Sequence, residues 1–165
     1  MRSLEARACQ GGWPNRVVLT RQKTNAQVRD ESTVNAIECG GYILRQESKS
    51  LDVILIATGS EVGIAMEAAG VLEGDGLGCR VVSMPSVDHF LQQSESYQAE
   101  VLPPEHRARV AVEAAHPDYW YRFVGFDGRI VGVDRFGLSA PGDVVMDALG
   151  ITADAVVTAA RETVG

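Results

Sequence analysis

Basic residues are scarce in this chain of 165: 15 Lys and Arg stand against 22 Asp and Glu, a formal charge of −7. Phosphate backbones are held by clustered Lys and Arg. Here the basic residues are scattered, which argues against nucleic acid as the main partner. Cysteine is equally sparse. Cys9, Cys39 and Cys79 are odd in number, far apart and free of any C-x-x-C pattern, which disfavours zinc and fits reduced thiols in a cytosolic setting. No stretch reaches the roughly 18 apolar residues of a membrane span, and Arg2, Glu5 and Arg7 interrupt the start in a way no secretory signal does. The expectation is a soluble, cytoplasmic chain with no membrane partner.

The length suits about one domain, large enough to bury about two thirds of the unfolded surface without staples. Residues 4–10 read as a short helix stopped at Gly11-Gly12, and residues 17–20 as a strand. From 22 to 32 (QKTNAQVRDES) the composition turns polar with no apolar face, as expected of a linker. The domain boundary is therefore placed between 1–32 and 33–165. Beyond it, strand and helix alternate. A helical stretch at 33–39 ends at Gly40-Gly41, and strands are expected at 42–45, 53–58, 80–83, 109–113 and 129–133. Helices are expected from about Ser60 to Gly74, at 87–91, 94–102, 118–123, about 141–149 and 153–163. The run at 53–58 is apolar throughout, the mark of a strand covered on both faces in a parallel sheet. Thr58 and Glu61 have capping-box spacing. Val156, Val157, Ala160 and Val164 form one face of the last helix. The result is a three-layer α/β domain.

Three stretches, DVILIATGSEV (52–62), RVVSMPS (80–86) and VDRFGLSAP (133–141), resemble in this order the C-terminal domain of transketolase. The resemblance runs from about Val17 to the last residue and includes VVLTRQ, GGYIL, VLPPEHRARVAVEAA and DYWYRFVG. It implies a three-layer α/β/α domain with a mixed, mostly parallel sheet of about five strands. Residues 1–32 would be the end of the preceding pyrimidine-binding domain plus the linker. It further implies an enzyme that moves a two-carbon ketol unit from a ketose phosphate to an aldose phosphate. Thiamine diphosphate and Mg2+ or Ca2+ would sit in other domains of a homodimer, and none would be bound by this chain, which alone would be inactive. The partners implied are sugar phosphates and the rest of transketolase. Two other readings stand beside this one. The chain could be a free-standing binding or assembly module of the same fold, or the last domain of another thiamine-diphosphate enzyme.

One residue is carried over as functional. Arg21, in VVLTRQ, matches the strand-end arginine that contacts the substrate phosphate, and a guanidinium suits that task because its planar fork holds a phosphate bidentately. The remaining candidates have plainer readings. Gly74-Asp75-Gly76 resembles the start of a thiamine-enzyme metal motif, but that motif needs an Asn downstream, and Asn15, Asn25 and Asn35 all lie upstream. The triplet therefore reads as a helix stop. Gly59 and Gly63 do not make G-x-G-x-x-G. Ser60 reads as a helix cap, and Glu61 would repel an anion there. Open α/β sheets do bind ligands at this kind of turn, so the crevice stays in view. His89, His106 and His116 are dispersed, and each reads as a surface or loop anchor. Ser139 lacks the closing glycine of a nucleophile elbow and is expected to start the next helix. Tyr119, Trp120, Tyr121 and Phe123 cannot all face one core, so at least one should reach the surface.

Overall fold

The structure, a computed structural model, describes residue 20 and residues 22–165. The helix expected at 4–10, all but the last residue of the strand expected at 17–20, Cys9 and Arg21 lie outside the described residues. In chain order, α1 (Glu31–Ala36) and a 3₁₀ turn (Ile37–Cys39) lead into β1 (Tyr42–Arg45). There follow β2 (Val53–Ala57), α2 (Glu61–Gly74), β3 (Cys79–Ser83), α3 (Val87–Leu91), α4 (Glu95–Val101) and β4 (Arg109–Val112). A second 3₁₀ turn (Pro117–Trp120), α5 (Tyr121–Val124), β5 (Arg129–Val131), α6 (Gly142–Leu149) and α7 (Ala153–Val164) complete the fold.

The five strands among the described residues form one sheet in the order β1-β3-β2-β4-β5. β2 lies parallel to β3 and β4, β4 lies parallel to β5, and only the edge strand β1 runs antiparallel. Register follows from pleating, which sends successive side chains to opposite faces. Val53, Leu55 and Ala57 join Val81, Val110 and Val112 on one face, under α2 and α7. Ile54 and Ile56 join Val82 and Ala111 on the other, under α3, α4 and α5. With both faces covered, all five residues of β2 are buried, and each fully buried Val, Leu or Ile contributes about 1.5–3 kcal/mol. Of the expected α7 stripe, Val156, Val157 and Ala160 are buried, but Val164 is 39% exposed. It sits in the final turn, immediately before Gly165.

The helix expected from residue 33 begins two residues earlier, at Glu31. Asp30 accepts the Thr33 N–H at 2.8 Å and so caps α1 from Glu31, which puts residue 33 inside the helix. Those hydrogen bonds, with one from Ser32, hold the Asp30 carboxyl down at about 2. Arg29 adds a second tie, its Nε donating to the Tyr42 hydroxyl on β1 at 3.1 Å. A cap built from Asp with Thr three residues on lacks the Glu or Gln of a capping box, which is why the polar run read as linker throughout. No helix among the described residues is long and apolar enough to cross a membrane.

Candidate functional site

The chain runs from β2 outward to β3, then crosses back to place β4 on the other side of β2. Open α/β sheets leave a crevice beyond the strand carboxyl ends at such a reversal. Here the crevice is bordered by the β2–α2 turn and by Glu113, the residue after β4. Glu61 opens α2 and is only 6% exposed. Burial pushes its carboxyl above the ordinary range, the Ser60 hydroxyl offsets this in part, and the charge of Glu113 adds to it. Glu113 in turn accepts the indole N–H of buried Trp120 at 2.6 Å. The two neighbouring carboxyl groups bring no cationic donor for a phosphate to the crevice.

The capping arrangement here differs from the expected one. Ser60 occupies the N-cap in a helical conformation, φ −68° and ψ −29°, and its side chain caps nothing. A capping side chain works from an extended backbone. Instead the Glu61 N–H donates to the Thr58 carbonyl at 3.2 Å, and the Ser60 hydroxyl donates to Glu61 Oε1 at 3.1 Å. Ser139 is corrected too: Pro141 is the N-cap of α6, and Ser139 is exposed two residues before it.

Other candidates fall where the plainer readings put them. Gly74 ends α2, Gly76 takes φ 95°, and Asp75 pairs with Arg161 of α7 at 2.5 Å. Among the described residues no group of His, Cys, Asp and Glu is arranged to hold a metal ion. His89 is exposed on α3, the His106 carbonyl accepts from Arg109 Nε, and His116 Nδ1 accepts the Asp118 N–H at 3.5 Å. The Cys79 thiol is buried in the sheet and pushed up to about 12, which leaves it unreactive. Trp120 and Phe123 are buried, whereas Tyr119 and Tyr121 are about half exposed.

The same carboxyl edge carries a feature that sequence reasoning passed over. The loop between β5 and α6 presents Phe136, 98% exposed, and Leu138, 51% exposed. α6 follows with no buried residue and with Val144 exposed. Gln22 lies against this face: a Cβ on Gly142 would come 3.5 Å from its side chain. The described start of the chain and the exposed loop are therefore neighbours. The available signal was apolar Phe136 and Leu138 within a loop of Asp, Arg, Gly, Ser and Pro, where no core awaits them.

A mostly parallel sheet of five strands, covered by helices on both faces, defines a three-layer α/β domain. The family model described as the transketolase-like TK C-terminal domain matches residues 40–152, and the chain belongs to that family. Transketolase 1 of Vibrio parahaemolyticus is 46% identical over 149 residues, 90% of this chain and 22% of that protein. Transketolase 2 of Escherichia coli K12 is 45% identical over 152 residues, 92% of this chain and 23% of that protein. The solved transketolase from Leishmania mexicana superposes with a TM-score of 0.78 at 35% identity, covering 87% of this chain and 20% of that one. The chain thus spans about a fifth of the length of these relatives.

Proposed function

We propose that this chain acts as the C-terminal domain of a transketolase, docked through its carboxyl-edge loop onto the cofactor-binding part of the enzyme. The observation that carries the reading is the uncovered face of Phe136, Leu138 and Val144 beside Gln22. Grouped apolar side chains left in water mark a protein–protein contact, and the family match supplies the partner. The complete enzyme is proposed to be a cytoplasmic homodimer that transfers a two-carbon ketol unit between sugar phosphates, with thiamine diphosphate and Mg2+ or Ca2+ held by the other domains. The described residues here do not fit that cofactor, since Asp75 is engaged by Arg161 and every Asn lies upstream of it. No chemical step is assigned to this chain.

Arg21 is the proposed exception in substrate binding. It directly precedes Gln22, which reaches the docking face, and its guanidinium would hold the phosphate of the sugar at the domain boundary. Two measurements test the proposal. The chain, mixed with a transketolase truncated before the matching domain, should form a stable complex and restore ketol transfer. No complex at micromolar concentration would refute the docking. In a complete enzyme, Arg21→Ala should cost phosphorylated sugars about 1.5–3 kcal/mol, one charge-assisted contact. An equal loss for unphosphorylated sugars would make Arg21 a structural residue.

A further inference from the structure

The opposite, amino edge of the sheet holds a second concentration of chemistry that the transketolase reading does not use. Arg109 opens β4, and its guanidinium is fixed by four backbone carbonyls. Nε donates to His106 at 2.9 Å, Nη1 to Phe123 at 2.7 Å, and Nη2 to Leu102 at 3.2 Å and Pro103 at 2.7 Å. A guanidinium carries five N–H groups, so one on Nη1 is left over. Arg80, the other arginine that opens toward the core, is neutralised by Glu47. Arg109 forms no ion pair with a carboxylate among the described residues. Burial pulls its pKa down, and Glu105 offsets this only in part.

Arg109 lines a cavity of about 570 Å³, a volume within the range of roughly 300–1,000 Å³ common to small-molecule sites. Arg107 and Arg122 line it too. Arg107 pairs with Asp127 at 3.2 Å on the exposed rim. Arg122 is exposed, stands 5.8 Å from the centre of the Phe123 ring and has no ion pair among the described residues. Three arginines against one aspartate give the lining a formal charge of +2 on a chain of −7. Phe126, wholly exposed, offers a bare aromatic face at the same cavity.

We propose that this cavity binds a phosphorylated ligand with a planar ring, a mononucleotide, the phosphate held by Arg122 and Arg107 over the fixed Arg109 and the base stacked on Phe126. Guanidinium forks match phosphate oxygens, and aromatic faces stack bases regardless of identity. Asp127 opposes the anion by holding Arg107, and because the exposed Arg107 and Arg122 charges are screened by salt, affinity should fall as salt rises.

The test is calorimetric titration of the full chain with AMP, ribose 5-phosphate and inorganic phosphate. AMP should bind saturably, with a dissociation constant below about 1 mM, and more tightly than ribose 5-phosphate. Arg122→Gln should weaken AMP about tenfold, the loss of one charge-assisted contact. Phe126→Ala should abolish the preference for AMP over ribose 5-phosphate. Both residues are exposed, so the variants should keep the far-UV circular dichroism of the parent, and the remote Arg161→Gln should bind as the parent does. The proposal is overturned by absence of saturable AMP binding, or by binding that Arg122→Gln leaves unchanged. Binding lost in Arg21→Ala and retained in Arg122→Gln would place the phosphate at Arg21 and overturn it too. Inorganic phosphate as tight as AMP would overturn the nucleotide assignment.

Discussion

Arg80 and Glu47 meet in two parallel hydrogen bonds, Nε to Oε2 at 2.8 Å and Nη2 to Oε1 at 2.6 Å. Arg80 also donates through Nη1 to the Glu100 carbonyl at 2.8 Å, tying β3 to the loop after β1 and to the end of α4. With its side chain 8% exposed, Arg80 depends on that carboxylate for charge compensation. Glu47→Ala would strand it, at an expected cost of about 3–5 kcal/mol. The pair also makes stability depend on acidity. Arg80 holds the Glu47 carboxyl below its ordinary value, so the unfolded chain binds this proton more readily. The contribution is present above the ordinary carboxylate range and lost as pH falls through the depressed folded value. Urea denaturation from neutral to acid pH should show a steeper decline for the parent than for Glu47→Gln, which has no proton to gain.

Glu61 has the opposite sign. Burial raises its carboxyl in the folded chain, so its contribution is complete below the ordinary range and lost as pH rises through the raised value. Glu61→Gln keeps the shape and removes the charge. The variant should be more stable than the parent at pH 7, with the advantage shrinking toward acid pH. A Gln variant that is less stable at pH 7 would show that the Ser60 hydrogen bond and the helix N-terminus outweigh the cost of burying the charge.

Two glycine substitutions should move stability in opposite directions. At Gly40, φ is 82°, and an added Cβ would lie 2.3 Å from the Ser86 carbonyl oxygen and 2.6 Å from the Phe90 nitrogen, both backbone atoms. Gly40→Ala combines a left-handed conformation, unfavourable by about 1–2 kcal/mol, with overpacking of about 1–3 kcal/mol. Gly70 lies inside α2, exposed, with nothing within 4 Å of an added Cβ. Gly70→Ala should stabilise by about 0.5–1 kcal/mol, the helix-interior difference between the two residues. Thermal melts of both variants against the parent check the pair.

The sheet was readable because apolar runs carry their own geometry. The stretch 53–58 has to be covered on both faces wherever it sits, and β2 is buried throughout. Trp120 and Phe123 went inward and Tyr119 and Tyr121 outward because four aromatics in five positions point around a helix, not to one side. The caps were less readable. Ser60 fits a capping pattern by type and spacing, yet a helical φ and ψ disable its hydroxyl, and dihedral angles are not written in residue identity. The arginines hid more. Arg80 and Arg109 look like any charged residue at a strand start, and their roles depend on carbonyls 20 to 21 residues away for one and 3 to 14 for the other. Phe136 and Leu138 stood out only as apolar residues in a polar loop, because whether such a residue has a partner is decided once the fold is assembled.

Those two residues support the last prediction. Because Phe136 and Leu138 touch water and not the core, changing both to Asp should leave the melting of the isolated chain within about 0.5 kcal/mol of the parent, as at any surface site. In the reconstituted enzyme the effect should be large. Each substitution would replace an apolar contact side chain by a carboxylate, which costs several kcal/mol when the charge is desolvated without a partner. Binding to the truncated transketolase should then fall by more than about a hundredfold, near 2.7 kcal/mol, with a matching loss of restored ketol transfer. Sedimentation of the mixture measures the first and a coupled assay the second. If complex formation survives both substitutions, the docking face lies elsewhere, and the uncovered loop belongs to another partner.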